Sequence, residues 1–165
     1  MFEALWDERV RAAMKQFSAG AFLTAAHDGV VNTMTISWGT LGILWGKPIW
    51  QVVVRPQRFT LGLIDGSGEF TISIPETDMA EALAWCGSHS GRDGDKLADC
   101  GLTAQPGRVV ATPVIAGGGV HFECRVVHRQ QFDASVMSET LNRTIYPGND
   151  HHIQFFGEIV AWYGD

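Results

Sequence analysis

Short apolar segments separated by turn residues recur along this chain, and they constrain its fold more than any other feature. Two of them, residues 21–27 and 30–38, flank Asp28-Gly29, a dipeptide that favours a tight β-hairpin turn. Further strands are predicted at residues 43–45, 49–54, 69–74, 109–115 and 120–130. Helical segments do not alternate regularly with these strands, so the pattern favours a mainly β protein.

The end of the chain carries the clearest alternation. Ile153, Phe155, Gly157 and Ile159 share one face of a predicted strand, and more polar residues occupy the other face. With this segment the chain has about seven strands, as small barrels do. The 19 glycines supply the turns that such a barrel requires. The sequence therefore predicts a mainly β barrel with helical insertions.

Four segments are predicted to be helical or irregular rather than strands. Apolar residues recur at helical spacing before Ser18-Ala19-Gly20, where an amphipathic N-terminal helix would end. They are Phe2, Leu5, Trp6, Val10, Met14 and Phe17. Short helices are predicted over residues 59–64, 78–85 and 95–100, the second opening on an Asp78/Glu81 capping box. Lys47-Pro48 is expected to separate two strands, and residues 133–150 are expected to be irregular.

Length, charge and cysteine usage limit the class of protein. A chain of 165 residues favours one domain, here taken as residues 1–165. The net charge of −6 disfavours nucleic acid as a general partner. Cys86, Cys100 and Cys124 cannot all pair, which fits a reducing compartment. We find no secretory leader and no apolar run long enough to cross a membrane, so we expect a cytoplasmic protein without membrane contact.

Several common nucleotide-binding, catalytic and metal-binding motifs are absent from the sequence. Residues 39–47 superficially resemble a phosphate-binding loop, but Pro48 stands where that loop needs a serine or threonine for magnesium. Residues 66–68 lack the third glycine of a dinucleotide fingerprint, and residues 87–91 place His89 where a nucleophile elbow needs serine. The histidines and cysteines show no zinc spacing, so we predict no metal site.

Three polar segments beside predicted strands remain as candidates for a binding site. Residues 32–39 place small polar groups along a strand, which suits the edge of a planar heterocycle or simply a half-exposed strand. Arg55 and Arg58 flank a turn, with Thr60 near a helix start, which suits an anion or solvated surface arginines. Residues 90–96 form a glycine-rich turn that is either an anion nest or a capped loop.

Together these segments resemble the flavin reductase-like family of FMN-binding proteins, which includes flavoredoxin. The matching motifs run in family order as N-x-M-T-x-S-W-G at 32–39, W-G-K-P at 45–48 and V-R-P-x-R-x-T at 54–60. They continue as C-G-x-x-S-G-R-D-x-D-K at 86–96, G-L at 101–102 and H-x-x-x-x-G-E-I at 152–159. The resemblance covers residues 18 to 165 and implies a split β-barrel homodimer with FMN near the subunit interface.

The resemblance also implies roles for individual residues. The isoalloxazine ring would be bordered by the residues of the first motif, Asn32, Thr33, Met34, Thr35 and Ser37. The phosphate would be held by Arg55, Arg58, Thr60, Ser90, Arg92 and Lys96. Trp38 is a candidate wall for the ring or for an incoming nicotinamide, and His152 is either a site residue or an ordinary strand histidine. Gln57 departs from the serine that relatives often carry, which weakens the phosphate assignment.

The activity that the resemblance implies is an NAD(P)H-dependent flavin oxidoreductase with an unknown electron acceptor. The flavin itself carries the hydride chemistry, so no side chain needs to act as acid or base, and we name no catalytic residue. Two alternatives keep the flavin: an electron carrier like flavoredoxin that does not oxidise NAD(P)H, and a flavin-binding sensor without turnover.

Overall fold

The computed structural model describes residues 2–5 and 7–165. Its helices are 3₁₀ turns at Phe2–Leu5, Phe17–Ala19 and Ala134–Val136, and α1 (Glu8–Gln16), α2 (Phe59–Ser67), α3 (Ala80–Ser88), α4 (Lys96–Asp99) and α5 (Glu139–Ile145). Its first strands are β1 (Ala21–His27), β2 (Val30–Ile36), β3 (Gly39–Leu44), β4 (Lys47–Val54) and β5 (Glu69–Ile74). The others are β6 (Ala104–Gln105), β7 (Val114–Ile115), β8 (Val120–Gln131) and β9 (Ile153–Gly164).

Seven of these strands form one antiparallel sheet in the order β2-β1-β5-β8-β9-β4-β3. Its two edge strands, β2 and β3, are separated in the chain by Ser37 and Trp38 alone. Because two residues span only a short distance, the sheet must curl until its edges meet at this point. The result is a barrel with an unpaired seam between β2 and β3, which is the predicted mainly β split barrel.

The interior of the barrel is apolar. Its largest fully buried side chains include Trp50, Phe70, Phe122 and Phe155, which come from four different strands. The predicted alternation of the last strand is confirmed, since Ile153, Phe155, Gly157 and Ile159 are all buried. Gly157 is required there, because a Cβ would lie 2.4 Å from the Phe70 ring. Among the helices of the described residues, none has the length and apolar character that a membrane crossing requires.

The predicted hairpin is confirmed. Ala21–His27 pairs with Val30–Ile36, and Asp28 and Gly29 turn with φ values of 49° and 77°. Both angles are positive, as a two-residue hairpin turn demands. The same geometry corrects the next prediction: the turn between β3 and β4 falls at Trp45-Gly46, with φ values of 53° and 67°, and Lys47-Pro48 begins β4.

Three other boundaries differ from the prediction. The N-terminal α-helix starts at Glu8, because the Asp7 carboxylate accepts the N–H of Arg9 at 2.8 Å, and Trp6 lies outside the described residues. Residues 109–115 are a strand only at Val114–Ile115. Residues 133–150 are not irregular throughout, since they contain α5, capped by Ser138. The assignment of residues 1–165 to a single domain stays a prediction.

Candidate functional site

A cavity opens at the seam of the barrel, where β2 ends and β4 and β9 pass behind it. We call it the strand cavity; its volume is about 160 Å³. Its walls are Met34, Thr35, Ile36, Ser37, Trp38, Val53, Arg55, Arg58 and His152. Seven of these nine residues belong to the predicted site; Ile36 and Val53 do not. The strand cavity therefore brings together most of the first polar segment with both arginines of the second.

A second cavity of about 160 Å³ lies beside it, between α2, α3 and the turn that precedes α4. We call it the loop cavity. Its walls are Asn32, Met34, Gln57, Arg58, Phe59, Thr60, Cys86, His89, Ser90, Gly91, Arg92 and Lys96. Met34 and Arg58 line both cavities. The two spaces are thus neighbours, with β2 on one side and the start of α2 on the other.

The start of α2 gives the loop cavity a positive end. Arg58 is the N-cap of this nine-residue helix, and its exposed side chain makes no capping bond. Thr60 is buried, and its hydroxyl accepts a hydrogen bond from the Asn32 amide at 2.8 Å. The first N–H groups of a helix have no partner within the helix and carry partial positive charge. This wall of the cavity is therefore suited to an anion.

Lys96 adds a full charge at the same place. Its side chain is buried, and Nζ donates to the carbonyl oxygens of Thr33 and Cys86, both at 2.9 Å. Burial lowers the pKa of Lys96. An ammonium group has three N–H donors, and these two carbonyls use two of them. The third donor is available to a ligand in the loop cavity.

The glycine-rich turn closes the loop cavity from the far side. Gly91 approaches so closely that a Cβ would lie 2.1 Å from Asn32 Oδ1, which excludes any side chain. Arg92 lies over the Phe59 ring at 5.4 Å and donates to the Gln57 carbonyl at 2.9 Å. Through these contacts the third polar segment is fixed against the second.

Arg55 lies apart from the other residues that the resemblance assigns to phosphate. It lines the strand cavity, not the loop cavity, and its guanidinium pairs with Asp150. It also donates to the Ile145 carbonyl at 3.1 Å. The Gln57 amide, which departs from the family pattern, donates to the same Asp150 carboxylate at 3.2 Å. Asp150 thus ties two residues of the 55–60 turn to the segment that follows α5.

His152 is enclosed at the other wall of the strand cavity. Its Nδ1 lies 2.9 Å from the Tyr146 hydroxyl, and its ring lies 5.4 Å from that of Trp38. Desolvation, with the positive charge of Arg55 as the next contribution, lowers the pKa of His152 to about 4. The imidazole is therefore neutral at physiological pH. A neutral ring has one N–H donor and one acceptor nitrogen.

Two threonines of the first motif use their hydroxyl groups in hydrogen bonds within the protein. The Thr33 hydroxyl lies 3.1 Å from that of Thr24, and the Thr35 hydroxyl donates to the Leu83 carbonyl at 2.5 Å. Thr35 still lines the strand cavity, whereas Thr33 lines neither cavity and contributes its carbonyl to Lys96. The sequence analysis missed Tyr146 and Asp150, although the turn at residues 146–150 is evident in the sequence.

Comparisons with known proteins identify the family of this chain. The model of the flavin reductase like domain matches residues 14–165. The chain belongs to the flavin reductase like family. One curated relative is an uncharacterized protein of Pyrococcus abyssi. It is 27% identical to this chain over 147 residues, which cover 85% of this chain and 84% of the relative.

Solved structures show the same fold. The flavoredoxin of Desulfovibrio vulgaris (Miyazaki F) aligns at 26% identity with a TM-score of 0.70, covering 88% of this chain and 69% of the flavoredoxin. An FMN-binding protein from Thermus thermophilus with bound 1-cyclohex-2-enone aligns at 25% identity and a TM-score of 0.70, with the same coverage. The mainly β split barrel and the family predicted from the motifs are confirmed.

Proposed function

We propose that this flavin reductase like protein binds FMN, with the isoalloxazine ring in the strand cavity and the phosphate in the loop cavity, and acts as an NAD(P)H-dependent flavin oxidoreductase. One observation carries the proposal: the two cavities adjoin through Met34 and Arg58, and the loop cavity combines the start of α2 with the buried ammonium group of Lys96. A molecule that joins a planar polar ring to a phosphate fits this pair.

The residues of the loop cavity would hold the phosphate. Lys96 has an unused N–H donor, Arg58 extends from the helix start, and Thr60 and Ser90 offer hydroxyl groups beside them. Charge-assisted hydrogen bonds of this kind are the strongest that side chains make with phosphate. Arg92 would close the cavity over the bound group. Arg55 leaves this set and joins the ring site.

The residues of the strand cavity would orient the ring. Met34 and Val53 supply apolar contact, and backbone groups of β2 border the edge of the cavity. Trp38 is about half exposed, so its indole offers a face against which a nicotinamide would stack. The bound flavin supplies the hydride acceptor, and the protein supplies position and electrostatics.

Anaerobic mixing of the FMN-loaded protein with NADH or NADPH tests the reductase activity. We expect the visible absorbance of oxidised flavin to disappear faster than with free FMN at the same reductant concentration. Replacement of Trp38 by leucine should slow the reduction while leaving FMN bound. Reduction no faster than that of free FMN would contradict the reductase proposal.

The second candidate function is an electron carrier that receives electrons from a protein donor. It is favoured by the similarity to flavoredoxins, since a second one, from Methanosarcina acetivorans, aligns at 25% identity with a TM-score of 0.71. A carrier would be reduced readily by a chemical or protein donor under the conditions in which NADH and NADPH fail.

We also propose that the protein is a homodimer. Ile43, Leu44, Trp45 and Val127 are exposed apolar residues, and Trp45 packs edge-on against Phe156 at 5.7 Å. Ile43 also borders an apolar groove of about 480 Å³ between α1 and the edge strand β3. Exposed apolar surface of this kind marks contact with another molecule, for which we propose a second copy. Light scattering should give twice the 18.1 kDa of one chain, and replacement of Trp45 by glutamate should give monomers.

A further inference from the structure

The segment that follows α5 places two side chains behind the strand cavity that no motif predicts. Tyr146 is buried, with its hydroxyl 2.9 Å from His152 Nδ1. Asp150 pairs with Arg55, which also lies 5.4 Å from the Tyr146 ring. Tyr146 and Asp150 do not line the cavity themselves, whereas His152 and Arg55 do. Tyr146 therefore contacts His152 and Arg55 from behind, and Asp150 contacts Arg55.

Hydrogen-bond accounting fixes which nitrogen of His152 carries its proton. Among the described residues, the Tyr146 hydroxyl has one hydrogen-bond partner, His152 Nδ1. If Nδ1–H donated to this oxygen, the buried tyrosine O–H would have no acceptor among the described residues. Such an orphaned donor costs about 1–3 kcal/mol. The hydroxyl therefore donates to Nδ1, and the ring proton is on Nε2.

This Nε2–H group is available to a ligand. Nε2 makes no hydrogen bond to any described residue, and it is not sealed from solvent. His152 is otherwise enclosed, so the opening is the cavity that it lines. On the same cavity, Arg55 uses one donor for Asp150 and one for the Ile145 carbonyl, out of the five that a guanidinium has. A neutral donor and a cation thus face one space.

We propose that Tyr146 and Asp150 are positioning residues that hold His152 Nε2–H and Arg55 as a donor pair for a conjugated carbonyl oxygen of the ring bound in the strand cavity. This rests on the proposed FMN site. Because the oxygen of a conjugated carbonyl becomes more negative when the ring takes up electrons, the pair binds the reduced ring more tightly than the oxidised one. No bond forms and no proton moves: the effect is one of differential binding.

The test is the midpoint potential of FMN in the Tyr146→Phe protein, measured by titration against a redox dye. The variant keeps the aromatic ring and removes only the hydroxyl. We expect reduced FMN to lose about tenfold more affinity than oxidised FMN, which lowers the two-electron potential by about 30 mV. Asp150→Asn releases Arg55 from its ion pair and should also lower the potential. Because the lost negative charge by itself would raise the potential, a lowered value is due to the lost position of Arg55.

Tyr163→Phe is the matched control. Tyr163 is the other tyrosine of the chain, its hydroxyl donates to Glu123 at 2.7 Å, and neither residue lines the strand cavity. This variant should leave the potential unchanged. Equal potentials for wild type, Tyr146→Phe and Asp150→Asn, with FMN bound to all three, would overturn the proposal.

Nitrogen-15 NMR of His152 tests the same claim without FMN. In the wild type we expect the Nε2–H tautomer, and in Tyr146→Phe a mixture of both tautomers. An Nδ1–H tautomer in the wild type would overturn the inference even if FMN binds. Failure to bind FMN together with the expected tautomer would contradict the proposed function and leave the positioning of His152 supported.

Discussion

Two buried polar clusters of this protein differ in whether their hydrogen-bonding groups are used internally. The carboxylate of Glu123, fully buried on β8, accepts the backbone N–H groups of Arg108, Val109 and Val110 at 2.6, 2.7 and 2.8 Å. It also accepts the Tyr163 hydroxyl. These four donors occupy the lone pairs of the carboxylate.

The second cluster, formed by Lys96 and His152 beside the two cavities, is buried to a similar degree, but some of its hydrogen-bonding groups have no partner within the described chain. We call it the open cluster and the Glu123 cluster the closed cluster. Lys96 and His152 are each less than a tenth exposed. Lys96 has an N–H donor, and His152 has a ring nitrogen, Nε2, for which the described chain provides no partner. A buried polar group without its full set of partners is costly, so it is retained where a ligand completes it. The closed cluster stabilises the fold, and the open cluster is the one that we propose binds FMN.

The largest difference between the two clusters is expected in stability, on replacement of Glu123. Replacement by glutamine places an amide opposite N–H groups that need an acceptor. We expect the free energy of unfolding to fall by about 3 kcal/mol, the cost typical of disrupting a buried charged network. FMN affinity in the surviving folded protein should not change. Chemical denaturation measures the first and fluorescence titration the second, with Glu139→Gln on exposed α5 as control. A loss of FMN affinity with unchanged stability would contradict the assignment of the closed cluster to stability.

The same cluster should make stability depend on acid pH. Burial by itself raises the pKa of Glu123, but the N–H groups of Arg108, Val110 and Val109 and the Tyr163 hydroxyl lower it overall. A lowered pKa in the folded state gives stability that is present above the ordinary value of 4.5 and is lost as pH falls through the folded pKa. Denaturation curves below pH 4.5 should therefore lose stability more steeply in the wild type than in Glu123→Gln. Parallel curves would contradict this reading.

In the open cluster, Lys96→Met should have the larger effect on binding. It removes the buried ammonium group, and a hydrogen bond to a charged group contributes about 1.5–3 kcal/mol. We expect FMN to bind about 100-fold more weakly, which corresponds to about 2.8 kcal/mol. Lys15→Met, on the exposed face of α1, is the matched control and should bind FMN normally. Unchanged FMN affinity in folded Lys96→Met would place the phosphate elsewhere.

The smallest effects distinguish the two cavities from each other. Arg58→Ala should weaken FMN about tenfold, as loss of one charged contact does, with a smaller effect on riboflavin, which has no phosphate. Arg55→Ala should weaken both ligands alike, because Arg55 lines the strand cavity only. Arg143→Ala, on exposed α5, is the control for both. If Arg55→Ala weakened the binding of FMN more than that of riboflavin, Arg55 would belong to the residues that hold the phosphate.

The features predicted correctly from the sequence are those decided by neighbouring residues. Asp28-Gly29 accepts positive φ angles, and the alternation of residues 153–159 reflects one buried face, so the hairpin and the last strand follow from local pattern. The start of α2 shortly after Pro56 follows from the local sequence, because the residue before a proline disfavours helical backbone angles. Five of the six residues that the resemblance assigned to phosphate line the loop cavity, and their role stays a prediction.

The features that were missed depend on distant residues. Residues 109–113 have the pattern of a strand, but the N–H groups of residues 109–111 donate to the carboxylates of Glu69 and Glu123 on other strands. Helix α5 buries no residue, so it shows no apolar periodicity. The ion pair of Arg55 was not predicted, because its local sequence does not reveal Asp150, 95 positions later.

The most direct test of the FMN site compares the affinities of FMN and riboflavin for the wild-type protein freed of flavin, by fluorescence titration under one set of conditions. The ligands share the isoalloxazine ring and differ in the phosphate. We predict that both bind and that FMN binds at least about tenfold more tightly, as charge-assisted contacts to phosphate require. Equal affinities for the two ligands, or binding of neither, would contradict the assignment of the loop cavity to phosphate.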